Sequence, residues 1–328
     1  MNTTSNLSTG APPQDTLDAE RSPRWLTVSV LAVSGITILI NIPAATFVIY
    51  AKHKFPQFRC IHLLSLSFTD ILVGISLVPI LWTYVFPDDK ITYWGCNGIF
   101  LFFAFAHCNS KTQVAVICFD RLLLLIRPDW KYVGNYHRRM LTINIATLFV
   151  ICGLMNVPFW LFAKPRNNDI KCKLDSLFLD DISEFCLYSG IVACVVQVFI
   201  MGDCVAMIAI LQRRRRAFRQ VEPLPDPDSV SSVDKEQRTE RQQKEEVMRL
   251  ETRGIVTIVS IAAAYSVCIT PLNFGFLAQG LKIILEARRT TRHLLITFSC
   301  VNSAINPFVY CFRVAHVRRA MTILLRKI

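Results

Sequence analysis

At 328 residues, 52% of them hydrophobic and with a mean hydropathy of +0.39, the chain is too apolar for an ordinary soluble domain. Its formal charge of +12 comes from Lys and Arg gathered between long apolar runs, a pattern of membrane topology and not of nucleic-acid binding. The 12 cysteines form no C-x-x-C or His/Cys spacing, so no metal site is expected, and no catalytic centre is found that would make the chain an enzyme.

In chain order, residues 1–24 are a polar tail with N-x-S/T sequons at Asn2 and Asn6 and no apolar signal sequence. Seven apolar runs follow: Trp25–Ala51, Leu63–Phe86, Ile91–Phe119, Leu141–Ala163, Phe185–Leu211, Gly254–Leu281 and Leu294–Phe312. Each has the length of a tilted spanning helix. The expected fold is therefore all-α, an integral membrane bundle of seven transmembrane helices over residues 25–312. Residues 212–250 form its long loop, opening with "RRRR", passing through Pro, Asp and Ser, and ending in a charged helix-like stretch. Its ends read as extensions of the fifth and sixth helices, its centre as a flexible loop. Residues 313–328 place Val314, Val317, Met321 and Leu325 among arginines, which predicts a short amphipathic helix on the inner membrane surface.

Orientation follows from charge. With the N-terminus outside, 24 of the 36 Lys and Arg residues fall in cytoplasmic segments, 11 fall outside, and Lys111 alone lies within a span. The sequons at Asn2 and Asn6 then fall on the glycosylated side. Only Cys96, Cys172 and Cys186 lie at the outer face, where thiols can oxidise.

Several polar residues interrupt the apolar runs. Asp70 in "LSLSFTDILVG" is an acid at mid-membrane, which is costly and points to function. "CFDRLLLLIRP" places Asp120 and Arg121 at the inner end of the third run. "VNSAINPFVY" puts Asn302, Asn306 and Pro307 into the seventh, where the proline frees a backbone carbonyl that nearby Asn, Ser or water must satisfy.

Taken together, seven runs, this orientation, Asp120-Arg121-Leu122 and Asn306-Pro307-Phe308-Val309-Tyr310 resemble the rhodopsin-like family of G-protein-coupled receptors, over nearly the whole chain. The resemblance implies a plasma-membrane receptor that passes an extracellular small-molecule or peptide signal to a heterotrimeric G protein. It implies a sodium and water pocket of Asn41, Asp70, Ser110, Asn302 and Asn306, with a structural Na+ as its only candidate cofactor. It implies an activation switch of Asp120, Arg121, Pro271, Asn306, Pro307 and Tyr310, with Glu251 of "RLETRG" placed to pair with Arg121 at rest. It also implies a disulfide from Cys96 to Cys172, Cys186 being the less favoured partner. Arg213–Arg216 would meet G protein or anionic lipid.

The departures bear on the ligand. Ile269 stands where the family has its aromatic toggle, Leu122 replaces the tyrosine of D-R-Y, the fourth helix lacks its usual tryptophan, and the fifth lacks proline. "TPLN" and "VNSAINP" resemble muscarinic receptors, and the closest local likeness is to the muscarinic and histamine group. Yet the position of that group's amine-anchoring aspartate is Phe103, and Ala104, Leu272, Ile296 and Cys300 replace cage aromatics. The expected ligand pocket is Phe103, Ala104, His107, Ile269, Leu272, Asn273 and Ile296. An atypical amine receptor stays open as an alternative, and so does a transporter or channel built on Asp70, Lys111 and Asp203. Lys111 and Asp203 are expected to form a buried ion pair near Tyr265, with Asp70 as the other partner open to Lys111.

Overall fold

Runs of Leu, Ile, Val, Phe and Ala close every backbone hydrogen bond within a helix, which is what a lipid surrounding demands of a spanning segment. The computed structural model describes residues 24–55, 61–86, 90–127, 136–162, 170–172, 177–178, 181–221, 232–283 and 289–326. Seven long helices form there: α1 Arg24–Lys54, α2 Ile61–Val85, α3 Tyr93–Ile126, α4 Tyr136–Phe162, α5 Ile182–Val221, α6 Ser232–Gly280 and α7 Arg289–Arg313. A shorter α8, Ala315–Leu325, follows. Asn2 and Asn6 lie outside the described residues, as does the centre of the α5–α6 loop.

Burial follows the helical period. In α1 the buried residues are Leu26, Val30, Ser34, Thr37, Asn41, Ala44, Val48 and Ala51, a single stripe at three- and four-residue spacing. The opposite face carries exposed Leu31, Leu39, Ile42 and Ile49. An apolar outer face over an inner stripe that includes Ser, Thr and Asn is the inverse of a soluble helix, and it is suited to lipid. Among the described residues, α1, α2, α5, α6 and α7 each hold a stretch apolar enough to cross a membrane. α3 falls short because His107–Gln113 is almost wholly polar, and that run is shielded by α2, α4, α5 and α6 packed around it.

As the charged ends of the loop between them predict, α5 and α6 extend well beyond their apolar runs, to Val221 and back to Ser232, because Arg-, Glu- and Gln-rich stretches are good helix formers even in water. Two features differ from expectation. A two-residue antiparallel pair, β1 Lys90–Ile91 with β2 Ile170–Lys171, ties the loop after α2 to the loop after α4. It was not foreseen, being too short for a periodic signal. α8 turns off α7 and buries Val317 and Ala320 against Ala44, Val48 and Ala51 of α1, so it packs on the bundle as well as along it.

Candidate functional site

The end of the bundle near β1 and β2 is closed by a disulfide between Cys96, in the first turn of α3, and Cys172, just after β2 (S–S 2.06 Å, Cα–Cα 5.4 Å). Cys186 is buried and takes no part in that bridge. Around the bridge packs an aromatic cluster in which Phe178 stacks on Phe185 at 4.1 Å between ring centroids.

Below that cluster opens a cavity between α3, α4, α5, α6 and α7. Its walls are overwhelmingly apolar and include five phenylalanines, Phe100, Phe103, Phe159, Phe185 and Phe276. Of the expected pocket residues, Phe103, Ala104, His107, Leu272, Asn273 and Ile296 line it. Ile269 does not. It is almost completely buried in the core beneath, with Ile117, Ile200, Ile261 and Tyr265. A residue three positions before Leu272 lies one helical turn deeper, below the cavity floor.

Lys111 sits at that floor. It lines the cavity and is 92% shielded from solvent. No described side chain forms a hydrogen bond or an ion pair with it, and its electrostatic neighbours are the thiols of Cys108, Cys194 and Cys300. The expected Lys111–Asp203 pair does not form. Tyr265 shares the neighbours Cys108 and Cys194, so it stands at the level of Lys111. Asp203 instead lies beside Cys118, seven residues further along α3 and thus ~10 Å deeper. With no proline in α5 to fix the alignment, residues of α5 and α3 were matched about two turns out of register. Asp70 is not within ion-pair reach of Lys111 either. Because the two charges are separate, Lys111→Met and Asp203→Asn should change thermal stability additively, within ~0.5 kcal/mol in a double-mutant cycle. A coupling well above that would restore the pair.

Asp70 is fully buried and joined to two other helices. Its Oδ1 accepts from Ser110 Oγ at 2.6 Å (α3), and its Oδ2 accepts from Asn306 Nδ2 at 2.9 Å (α7). Ser303 Oγ lies 3.5 Å from Ser110 Oγ. The missing N–H of Pro307 leaves the carbonyl of Ser303, four residues earlier, without its helical donor. Asn41 Nδ2 on α1 supplies it at 2.9 Å. α1, α2, α3 and α7 are thereby connected through one polar cluster. Asn302 is buried nearby in sequence, but no hydrogen bond joins it to Asp70. The side-chain oxygens of Asn41, Asn302 and Asn306 are all buried without a donor. Tyr310 is buried, and its hydroxyl shares a hydrogen bond with Ser67 of α2.

At the far end, Asp120 is buried between His62 Nε2 of α2 at 3.6 Å and Arg121 Nε at 3.9 Å. Asn144 Nδ2 of α4 lies 3.3 Å from His62 Nδ1 and extends the cluster. Glu251 does not pair with Arg121. Its Oε2 lies 3.4 Å from Arg214 Nη1, and Arg214 Nη2 also donates to the carbonyl of Leu125 at 2.6 Å. The physical reason is reach: the extended α5 carries Arg214 over the base of α6, while Arg121 turns back to its own neighbour. Ser67, Ser303, His62 and Asn144 are the members that the sequence reading missed, and Arg214 stood there only as part of the Arg213–Arg216 run expected to meet G protein or lipid. Only Ser303 had a signal, its place four residues before Pro307.

Among the described residues, no group of three or more His, Cys, Asp or Glu side chains is placed to hold a metal ion. Residues 31–310 match the family model described as 7 transmembrane receptor (rhodopsin family). The chain is 24% identical over 317 residues to the follicle-stimulating hormone receptor of Cavia porcellus, covering 92% of this chain but 39% of that protein. It is 22% identical to the adenosine receptor A2a of Homo sapiens, over 92% of this chain and 72% of that one. It is also 22% identical to the high-affinity lysophosphatidic acid receptor of Xenopus laevis, over 96% and 86%. All three are receptors by name, and none is named for a muscarinic or histamine ligand. The chain belongs to the rhodopsin family of seven-transmembrane receptors.

Proposed function

We propose that this chain is a G-protein-coupled receptor of the plasma membrane, N-terminus outside, whose cavity above Lys111 takes an extracellular ligand. The observation that carries this reading is the Asp70 cluster, which lies between the cavity and the Arg121 end and links α2, α3 and α7 through single hydrogen bonds. A ligand that favours one packing of these helices over another shifts the equilibrium between resting and active states by its difference in affinity for the two. Asp120, Arg121 and Tyr310, with the inner ends of α5 and α6, form the G-protein-facing side. Glu251 then acts through Arg214, holding α5 and α6 together. α8, Arg213 and Arg216 meet the inner lipid surface.

The donor-free oxygens of Asn41 and Asn306, in the cluster that holds Asp70, suit a hard monovalent cation or water, since buried acceptors require a partner. Na+ there would compensate the buried carboxylate's charge, and Asp70, Ser110 and Asn306 would hold it. The muscarinic-like motifs do not carry an amine reading with them. No described residue lining the cavity is acidic, and Lys111 would repel a cation. The relatives' named ligands, a hormone, adenosine and lysophosphatidic acid, span too wide a chemistry to choose among.

Reconstitution with heterotrimeric G proteins tests the reading. The purified chain should accelerate nucleotide exchange on at least one Gα class, and Arg121→Ala should return exchange to the spontaneous rate. A chain that leaves every Gα class at its spontaneous rate, with and without added ligand, is not such a receptor.

A further inference from the structure

Two buried polar side chains line the cavity without any partner. Lys111 makes no hydrogen bond or ion pair, and both amide atoms of Asn273, 98% shielded, are buried and unbonded. Other buried polar atoms also lack a partner, among them Gln113 Oε1, Asp203 Oδ2 and Tyr265 OH, but Lys111 and Asn273 are the ones that line the cavity. A mid-membrane ammonium without a counter-ion is costly, and buried polar groups without partners are rare. Both groups face one space, and a ligand that fills it can satisfy both.

The shape of the space narrows the ligand. Along α3 its lining runs from Phe100 through Phe103, His107 and Cys108 to Lys111. That is one helix face about three turns long, a slot ~16 Å deep. Its sides are aromatic and aliphatic, and Lys111, the single charged residue among the described lining, stands at the closed end. His107 is already engaged with Ser299 Oγ at 3.3 Å and stacked on Phe103. Asp70, the buried acid of α2, has both oxygens occupied by Ser110 and Asn306.

We infer that the cavity binds an elongated anionic amphiphile head-down, its carboxylate or phosphate on Lys111 and its hydrocarbon body against the phenylalanines, with Asn273 bonding a polar atom along its length. This rests on the reading of the cavity as the receptor's ligand site. The ammonium is a compact point charge and fits either kind of head group. Burial removes water that would otherwise compete for the ion pair, and the apolar walls reject a fully hydrated small anion.

The test uses the purified full chain in lipid nanodiscs with four probes of one chain length: dodecanoate, dodecyl phosphate, methyl dodecanoate and dodecylamine. Binding is read by saturable thermal shift and by competition with radiolabelled dodecanoate. At least one of the two anions should bind saturably, and which of them does so identifies the head group. The ester and the amine should not compete. Lys111→Met should lose at least about tenfold in affinity, and Lys111→Arg should retain part of it. Equal binding of ester and acid, binding of the amine alone, no saturable binding of either anion, or an unchanged affinity in Lys111→Met each overturns the inference. Should Lys111→Met fail to fold, the acid-to-ester comparison on the unaltered chain decides. Anion binding without any effect on nucleotide exchange leaves this inference standing and removes the signalling reading instead.

Discussion

Asp70→Ala should be among the most damaging single substitutions in the bundle, lowering the melting temperature in detergent markedly and cutting surface expression. The carboxylate is fully buried and serves as the common acceptor for Ser110 on α3 and Asn306 on α7. Removing it leaves two buried donors with no acceptor, at about 1–3 kcal/mol each. It also leaves a void where the carboxyl was. Asp70→Asn should be milder, because its carbonyl oxygen can still accept from Ser110 while its amide nitrogen faces the Asn306 amide until that group turns over. The expected order of stability is therefore unaltered chain, then Asn, then Ala. If Asp70→Ala melts with the unaltered chain, the network is not holding the helices together.

What could be read from the sequence, and what could not, divides along a physical line. Helix number and approximate position follow from the length of apolar runs, because lipid enforces one solution on each of them. Motif residues that lie within one helix were legible too, such as Asp120 beside Arg121, or Pro307 and the carbonyl it frees. Contacts between helices were harder. The pairing of Lys111 with Asp203 depended on sliding α5 against α3, and a helix without proline or other landmark offers no register mark. The Glu251 partner depended on how far α5 continues into water, which hydropathy does not report. Placing Ile269 in the pocket depended on depth along α6, where one turn separates cavity wall from core. His62 and Asn144 were passed over because each, alone in its helix, looks like an ordinary polar residue. Only the meeting of α2, α3 and α4 makes them a cluster around Asp120.

Gly280→Ala is expected to destabilise the chain by about 1–3 kcal/mol or more, through overpacking at the crossing of α5 and α6. A Cβ on Gly280 would lie 2.5 Å from both the Cα and the N of Leu187. Backbone cannot swing aside as a side chain can, so the helices themselves would have to part. Gly190 on α5 faces the same crossing, where its Cβ would meet Leu277, including the backbone nitrogen, at 3.0 Å. The two glycines make a contact of backbone on backbone, as small residues do where membrane helices approach closely. The consequence extends to the cavity, since α6 carries Leu272, Asn273 and Phe276 within three turns of Gly280. Parting the helices there would draw those residues away from α3 and weaken ligand binding together with stability. Gly35→Ala is the comparison, because a Cβ there has nothing within 4 Å. Alanine also forms helix better than glycine. Melting of the two variants in the same detergent should therefore differ in sign or nearly so, with Gly35→Ala at or above the unaltered chain and Gly280→Ala several degrees below. Coincident melting curves would mean that α5 and α6 do not approach this closely.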